Sequence, residues 1–77
     1  MISEKQIRNL ITNQVEGFNM SQLSHEQNFV DAGIDSLDHM SILLALEEEY
    51  GIHVPDEALD QCSSIGGIIA FAKKHDK

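Results

Sequence analysis

Between Asp31 and Gly51 the sequence DAGIDSLDHMSILLALEEEYG leaves the backbone few choices. Gly33 permits a tight turn or a left-handed backbone that other residues resist. Asp35 follows with a carboxylate suited to capping a helix, and Ser36 falls in the first turn with its hydroxyl near solvent. From Leu37 apolar residues recur at helical spacing as far as Tyr50, and Gly51 ends the run. At about 100° per residue, Ile42, Leu43, Leu46 and Tyr50 share one side. Leu37, Met40 and Leu44 share roughly the opposite side, flanked by Glu47 and Glu48. A helix docked on one core needs only the first arc. The second, edged with carboxylates, points to partner binding. Burial of both arcs, as in the central helix of a bundle, is the alternative, and Ser41 and Glu48 crowd the second arc against it.

The flanking segments supply the elements this helix can pack on. Ser3 and Gln6 fit a capping box, and Ile7, Leu10, Ile11, Val15 and Phe18 recur on one face of a first helix ending near Gly17. Residues 19–35 form a long polar connection that Met20, Leu23, Phe29 and Ile34 would pin across the open end of the bundle. His25 reads as a solvated loop residue. After Gly51, Ile52 to Val54 form an extended bridge into Pro55, and Asp56–Asp60 form a short helical turn with Ala58 and Leu59 inward, joined by Cys62. Ser63 or Ser64 caps a last helix with Ile65, Ile68, Ile69 and Ala72 on its buried side. Gly66 and Gly67 each cost that helix up to about 1 kcal/mol of propensity, so they either permit close packing or leave the first turn loose. The expected fold is an all-α small four-helix bundle of three main helices plus one short helix, with a long first loop.

A chain of 77 residues is expected to form a single domain, 1–77, with a modest core. Its net charge is −8, and between Arg8 and Lys73 lie eleven aspartates and glutamates with no lysine or arginine. Such a surface repels a phosphate backbone, which argues against nucleic acid as a partner and against a DNA-binding bundle. It complements basic partner surfaces, although solubility alone also accounts for it. The single cysteine, Cys62, excludes an internal disulfide. No early basic segment runs into a long apolar stretch, so neither secretion nor a membrane span is expected, and a cytoplasmic location is.

Catalysis has little to stand on. A serine hydroxyl is a weak nucleophile without a base. Ser36, His39 and either Asp35 or Asp38 draw a triad on paper, but the chain is too short to add an oxyanion hole and a supporting shell. One cysteine and four scattered histidines lack zinc-ligand spacing. Asp31, Asp35 and Asp38 offer at most weak binding of a divalent cation, and no metal cofactor is expected. His39 falls toward the Leu46 side, where packing at the helix edge or contact with a loop would occupy it.

The run DAGIDSLDHM, with ALEEEYGIHVPDE downstream, closely resembles the acyl carrier protein family over essentially the whole chain. In that family the serine of an Asp-Ser-Leu run at the start of the second helix carries 4'-phosphopantetheine, whose thiol holds acyl groups as thioesters. Ser36 matches that serine, with Asp35 and Leu37 as its neighbours. The resemblance implies a monomeric, non-catalytic carrier for fatty-acid, polyketide or related biosynthesis, loaded by a phosphopantetheinyl transferase that draws on coenzyme A. It also implies that Asp35, Leu37, Asp38, Met40, Leu44, Glu47 and Glu48 meet the basic docking surfaces of that enzyme and of acyl-loading and acyl-transferring enzymes. Ser41 stands where fatty-acid carriers commonly have a glutamate, which removes one docking charge. An aminoacyl or peptidyl carrier is the alternative within the resemblance. An unmodified helical adaptor would use Leu37, Met40 and Leu44 alone and leave Ser36 without a role.

Overall fold

Ser3 opens the first helix, α1 (Glu4–Gln14), through a reciprocal capping box: its Oγ accepts the Gln6 amide at 3.2 Å, and its own amide donates to Gln6 Oε1 at 2.8 Å. The computed structural model describes residues 2–75. In it α1 is followed by a long connection, α2 (Ser36–Tyr50), a second connection, and α3 (Ile65–Lys74). The helix class and the long first loop are as expected, and no strand occurs among the described residues. The expected short fourth helix is a single 3-10 turn, Asp56–Ala58, entered from Pro55. A second such turn, Met20–Gln22, lies inside the first connection and was not expected; Asn19 Oδ1 caps it by accepting the Ser21 amide at 3.0 Å. The first helix stops at Gln14, short of Gly17.

A single apolar cluster joins all three helices and both connections. From α1 it takes Ile7, Leu10 and Ile11; from the first connection, Leu23, Phe29 and Ile34; from α2, Ile42, Leu43, Ala45 and Leu46. Met20 packs against its edge. Full burial of each large side chain contributes roughly 1.5–3 kcal/mol, so three anchors suffice to hold a polar loop against the bundle. Arg8 adds a polar tether, donating from Nη1 to the Leu23 carbonyl at 2.8 Å while pairing with Glu4.

Two assignments to the core shift. Tyr50 shares the angle of Leu46 but is 39% exposed, because burial along α2 stops at Leu46 and the final turn outruns the core. In α3 the buried face runs through Ile65, Ile68, Phe71 and Ala72, so Ile69 lies at its edge, half buried. His25 is also more than a solvated loop residue. Its Nδ1 meets Glu4 Oε1 at 2.7 Å, and its carbonyl accepts the Gly66 amide at 2.8 Å. The Glu4 carboxyl is held below its usual range by the hydrogen bond with His25 and then by that with Arg8.

Candidate functional site

The segment before α2 is folded so that Ser36 emerges at its end. Asn28 Oδ1 accepts the Val30 amide at 2.9 Å, and the Phe29 carbonyl accepts the amides of Ala32 at 3.1 Å and Ile34 at 2.9 Å. Gly33 completes this turn at φ 104°, a conformation open to glycine and strained for other residues. Ile34 then drops into the core, fully buried, and fixes where the helix begins. Asp35 is the N-cap: its Oδ1 accepts the Asp38 amide at 2.8 Å. Ser36 is the first residue of α2 and is exposed.

Four of the other serine hydroxyls are committed to the fold, whereas Ser24 is exposed without a side-chain hydrogen bond among the described residues but lies in the first connection, away from any α-helix start. Ser3 and Ser64 cap α1 and α3, Ser21 donates to Asn19 Oδ1 at 2.7 Å, and Ser63 donates to the Asp60 carbonyl at 2.6 Å. Ser41 is half buried in α2. The Ser36 hydroxyl has no hydrogen-bond partner among the described residues, and it stands at the positive end of a 15-residue helix. A phosphodiester there is favoured by the helix dipole by about 0.3–1 kcal/mol. The neighbouring carboxylates of Asp35 and Asp38 oppose that, screened by solvent, but they cannot expel a group held by a covalent bond. The exposed, uncommitted hydroxyl therefore fits a phosphate-linked prosthetic group.

Beyond Ser36, α2 carries the second apolar arc outward. Leu37 is 78% exposed, Met40 49% and Leu44 58%, and Glu47 and Glu48 stand exposed on the same face. Asp35 and the half-buried Asp38 do not flank that stripe; they sit at the helix start, bonded to each other through the cap. Glu47 is engaged by His53, whose Nδ1 lies 2.9 Å from Glu47 Oε1. Between α2 and the second connection runs a shallow cleft of about 110 Å³, lined by Met40, Leu43, Leu44, Glu47, Val54, Asp56 and Leu59.

His39 is the residue whose part in this region was least defined from the sequence. Its Nε2 lies 2.9 Å from the Cys62 carbonyl, and its ring meets the Phe29 ring edge-on at 5.4 Å. Its ring makes no hydrogen bond to a serine or carboxylate among the described residues, and its Nε2 is taken by a backbone carbonyl, so no triad is assembled there. The signal was present in the helical angle, which puts His39 with Ile42, Leu43 and Leu46 rather than with Leu37. Cys62 is fully buried, and burial pushes its thiol up to about 11.

Comparison with known proteins bears on this site. The family model described as "Phosphopantetheine attachment site" matches residues 5–72, which include the whole α2 region. The chain is also 37% identical over 76 residues to a protein named "Acyl carrier protein" from Clostridium acetobutylicum, a match covering 97% of this chain and 96% of that protein. An exposed serine heading an acidic helix, inside a segment matched along nearly its full length, assigns the family: the chain belongs to the phosphopantetheine-attachment carrier proteins.

Proposed function

We propose that the chain is an acyl carrier protein, working as a single carrier domain in the cytoplasm, with Ser36 as the attachment point of 4'-phosphopantetheine. The observation that carries this reading is the exposed, uncommitted Ser36 hydroxyl in the first turn of α2, within the matched segment 5–72. When attached, the group supplies a terminal thiol that holds acyl chains as thioesters.

The chain's own part is presentation. Asp35 caps α2 and sets the direction of its first turn. Ser36 Oγ forms the new bond to the phosphorus that bears the pantetheine arm of coenzyme A, the pyrophosphate P–O bond of the coenzyme breaks and its adenosine 3',5'-bisphosphate leaves. The serine proton passes to a base that the transferase must bring, because a serine hydroxyl is not nucleophilic alone. Leu37, Met40 and Leu44 offer contact area to that enzyme and to the acyl-handling enzymes that follow, while Asp35, Asp38, Glu47 and Glu48 steer basic surfaces toward it. Glu47 meets such a surface with His53 already beside it.

Incubation with coenzyme A and a broad-specificity phosphopantetheinyl transferase, followed by intact-mass spectrometry, tests the reading. One arm is expected on the wild type and none on Ser36→Ala. No gain in the wild type, or an equal gain in the alanine variant, contradicts it.

A further inference from the structure

The turn that leads into Ser36 is tied to the rest of the fold by a closed circuit of contacts, and one side chain completes it. The Phe29 amide donates to the Ser63 carbonyl at 2.8 Å, which ties the first connection to the turn before α3. The Phe29 carbonyl accepts the Ile34 amide at 2.9 Å, which ties that point to the start of α2. His39 closes the circuit from the helix. Its amide donates to the Asp35 carbonyl at 2.9 Å, its ring packs on Phe29, and its Nε2 reaches the Cys62 carbonyl. A carbonyl can only accept, so Nε2 carries the proton and the ring donates.

We propose that His39 is a positioning residue for the attachment turn: by bonding the Cys62 carbonyl while packing on Phe29, it holds the first turn of α2 in one orientation and so aims the Ser36 hydroxyl. The stripe Leu37, Met40 and Leu44 faces the other way, outward. Losing the His39 contact therefore leaves docking intact and disturbs the geometry of the reacting oxygen, to which transfer rates are sensitive. The proposal rests on Ser36 being the attachment point.

Two measurements on the full-length, unmodified chain test it, using wild type, His39→Leu, His39→Gln and His39→Asn. In steady-state arm transfer with coenzyme A and a broad-specificity transferase, His39→Leu is expected to lower kcat/KM about threefold to tenfold, the scale of one hydrogen bond. The loss should fall in kcat, with KM near wild type. Glutamine extends an amide N–H toward the same carbonyl and should restore the rate, whereas the shorter asparagine should not. The glutamine–asparagine comparison decides the matter if the leucine variant fails to fold. In amide hydrogen exchange, positions 38 and 39, whose amides are held by Asp35, should exchange faster in His39→Leu and His39→Asn, while the α1 core positions Leu10 and Ile11 keep wild-type protection. Unchanged transfer and unchanged exchange overturn the proposal. So does a uniform rise in exchange across all helices, and so does a glutamine variant no better than asparagine. A wild type that accepts no arm defeats the Ser36 reading instead, and the exchange pattern still decides the role of His39.

Discussion

Cys62 illustrates how one position's surroundings set its chemistry. It sits fully buried beside the carbonyl that His39 engages, and its thiol is raised from the ordinary 9.0 to about 11 because burial disfavours the thiolate. The thiol prefers to stay neutral in the fold, so its contribution to stability is complete below about pH 9, where the unfolded thiol is also neutral. That contribution is lost as pH climbs toward 11. At neutral pH Cys62 should resist alkylation by iodoacetamide in the folded chain and label promptly once guanidinium unfolds it. Prompt labelling under native conditions would contradict this burial. A carrier whose work depends on a thiol at the end of an arm is thereby spared a competing sulfur on its own surface.

Among the elements, α2 divides its apolar residues between two jobs, and the division is measurable. Leu46 is completely buried, whereas Leu44 is 58% exposed. Leu46→Ala should cost about 2–5 kcal/mol, and Leu44→Ala should stay within about 0.5 kcal/mol of wild type in urea melts; equal losses would mean the two faces are misassigned. Helix α3 poses the opposite case. Alanine at position 67 would gain up to about 1 kcal/mol of helix propensity. A Cβ there, however, would run into the backbone carbonyl of Gln61, which cannot swing aside as a side chain can. Gly67→Ala should therefore destabilise by about 1–3 kcal/mol net, and a higher thermal midpoint for the variant would refute the close approach. The two arcs of α2 and the capping residues Ser3 and Asp35 were legible in the sequence because each rests on local spacing. Which of two explanations held for Gly66 and Gly67 was not legible, since the answer lies in His25 and Gln61, distant or non-helical neighbours. The same limit applies to Tyr50, whose angle was read correctly but whose exposure depends on where the core ends. Within the site, the position of Ser36 at the head of α2 and the outward stripe were foreseeable. The span from His39 to the Cys62 carbonyl, 23 residues away, was not.

For the molecule as a whole, the uneven distribution of charge matters more than its total of −8. The stretch from Arg8 to Lys73 carries acids without a lysine or arginine, and α2 lies within it. Exposed charge pairs are each worth only about 0–1 kcal/mol at equilibrium, so their effect falls mainly on association rate. Asp38→Lys and Glu47→Lys should lower the second-order rate of arm transfer at low salt, and the gap from wild type should narrow as salt screens the field. Rates independent of both substitution and salt would remove this face from recognition. Carrier function depends most on which oxygen bears the arm. Fragmentation mass spectrometry of the modified wild-type chain answers that without altering a residue, by setting Ser36 against Ser3, Ser21, Ser24, Ser41, Ser63 and Ser64 in one sample. The phosphodiester is predicted on Ser36 alone; its appearance on any of the other six would contradict the account.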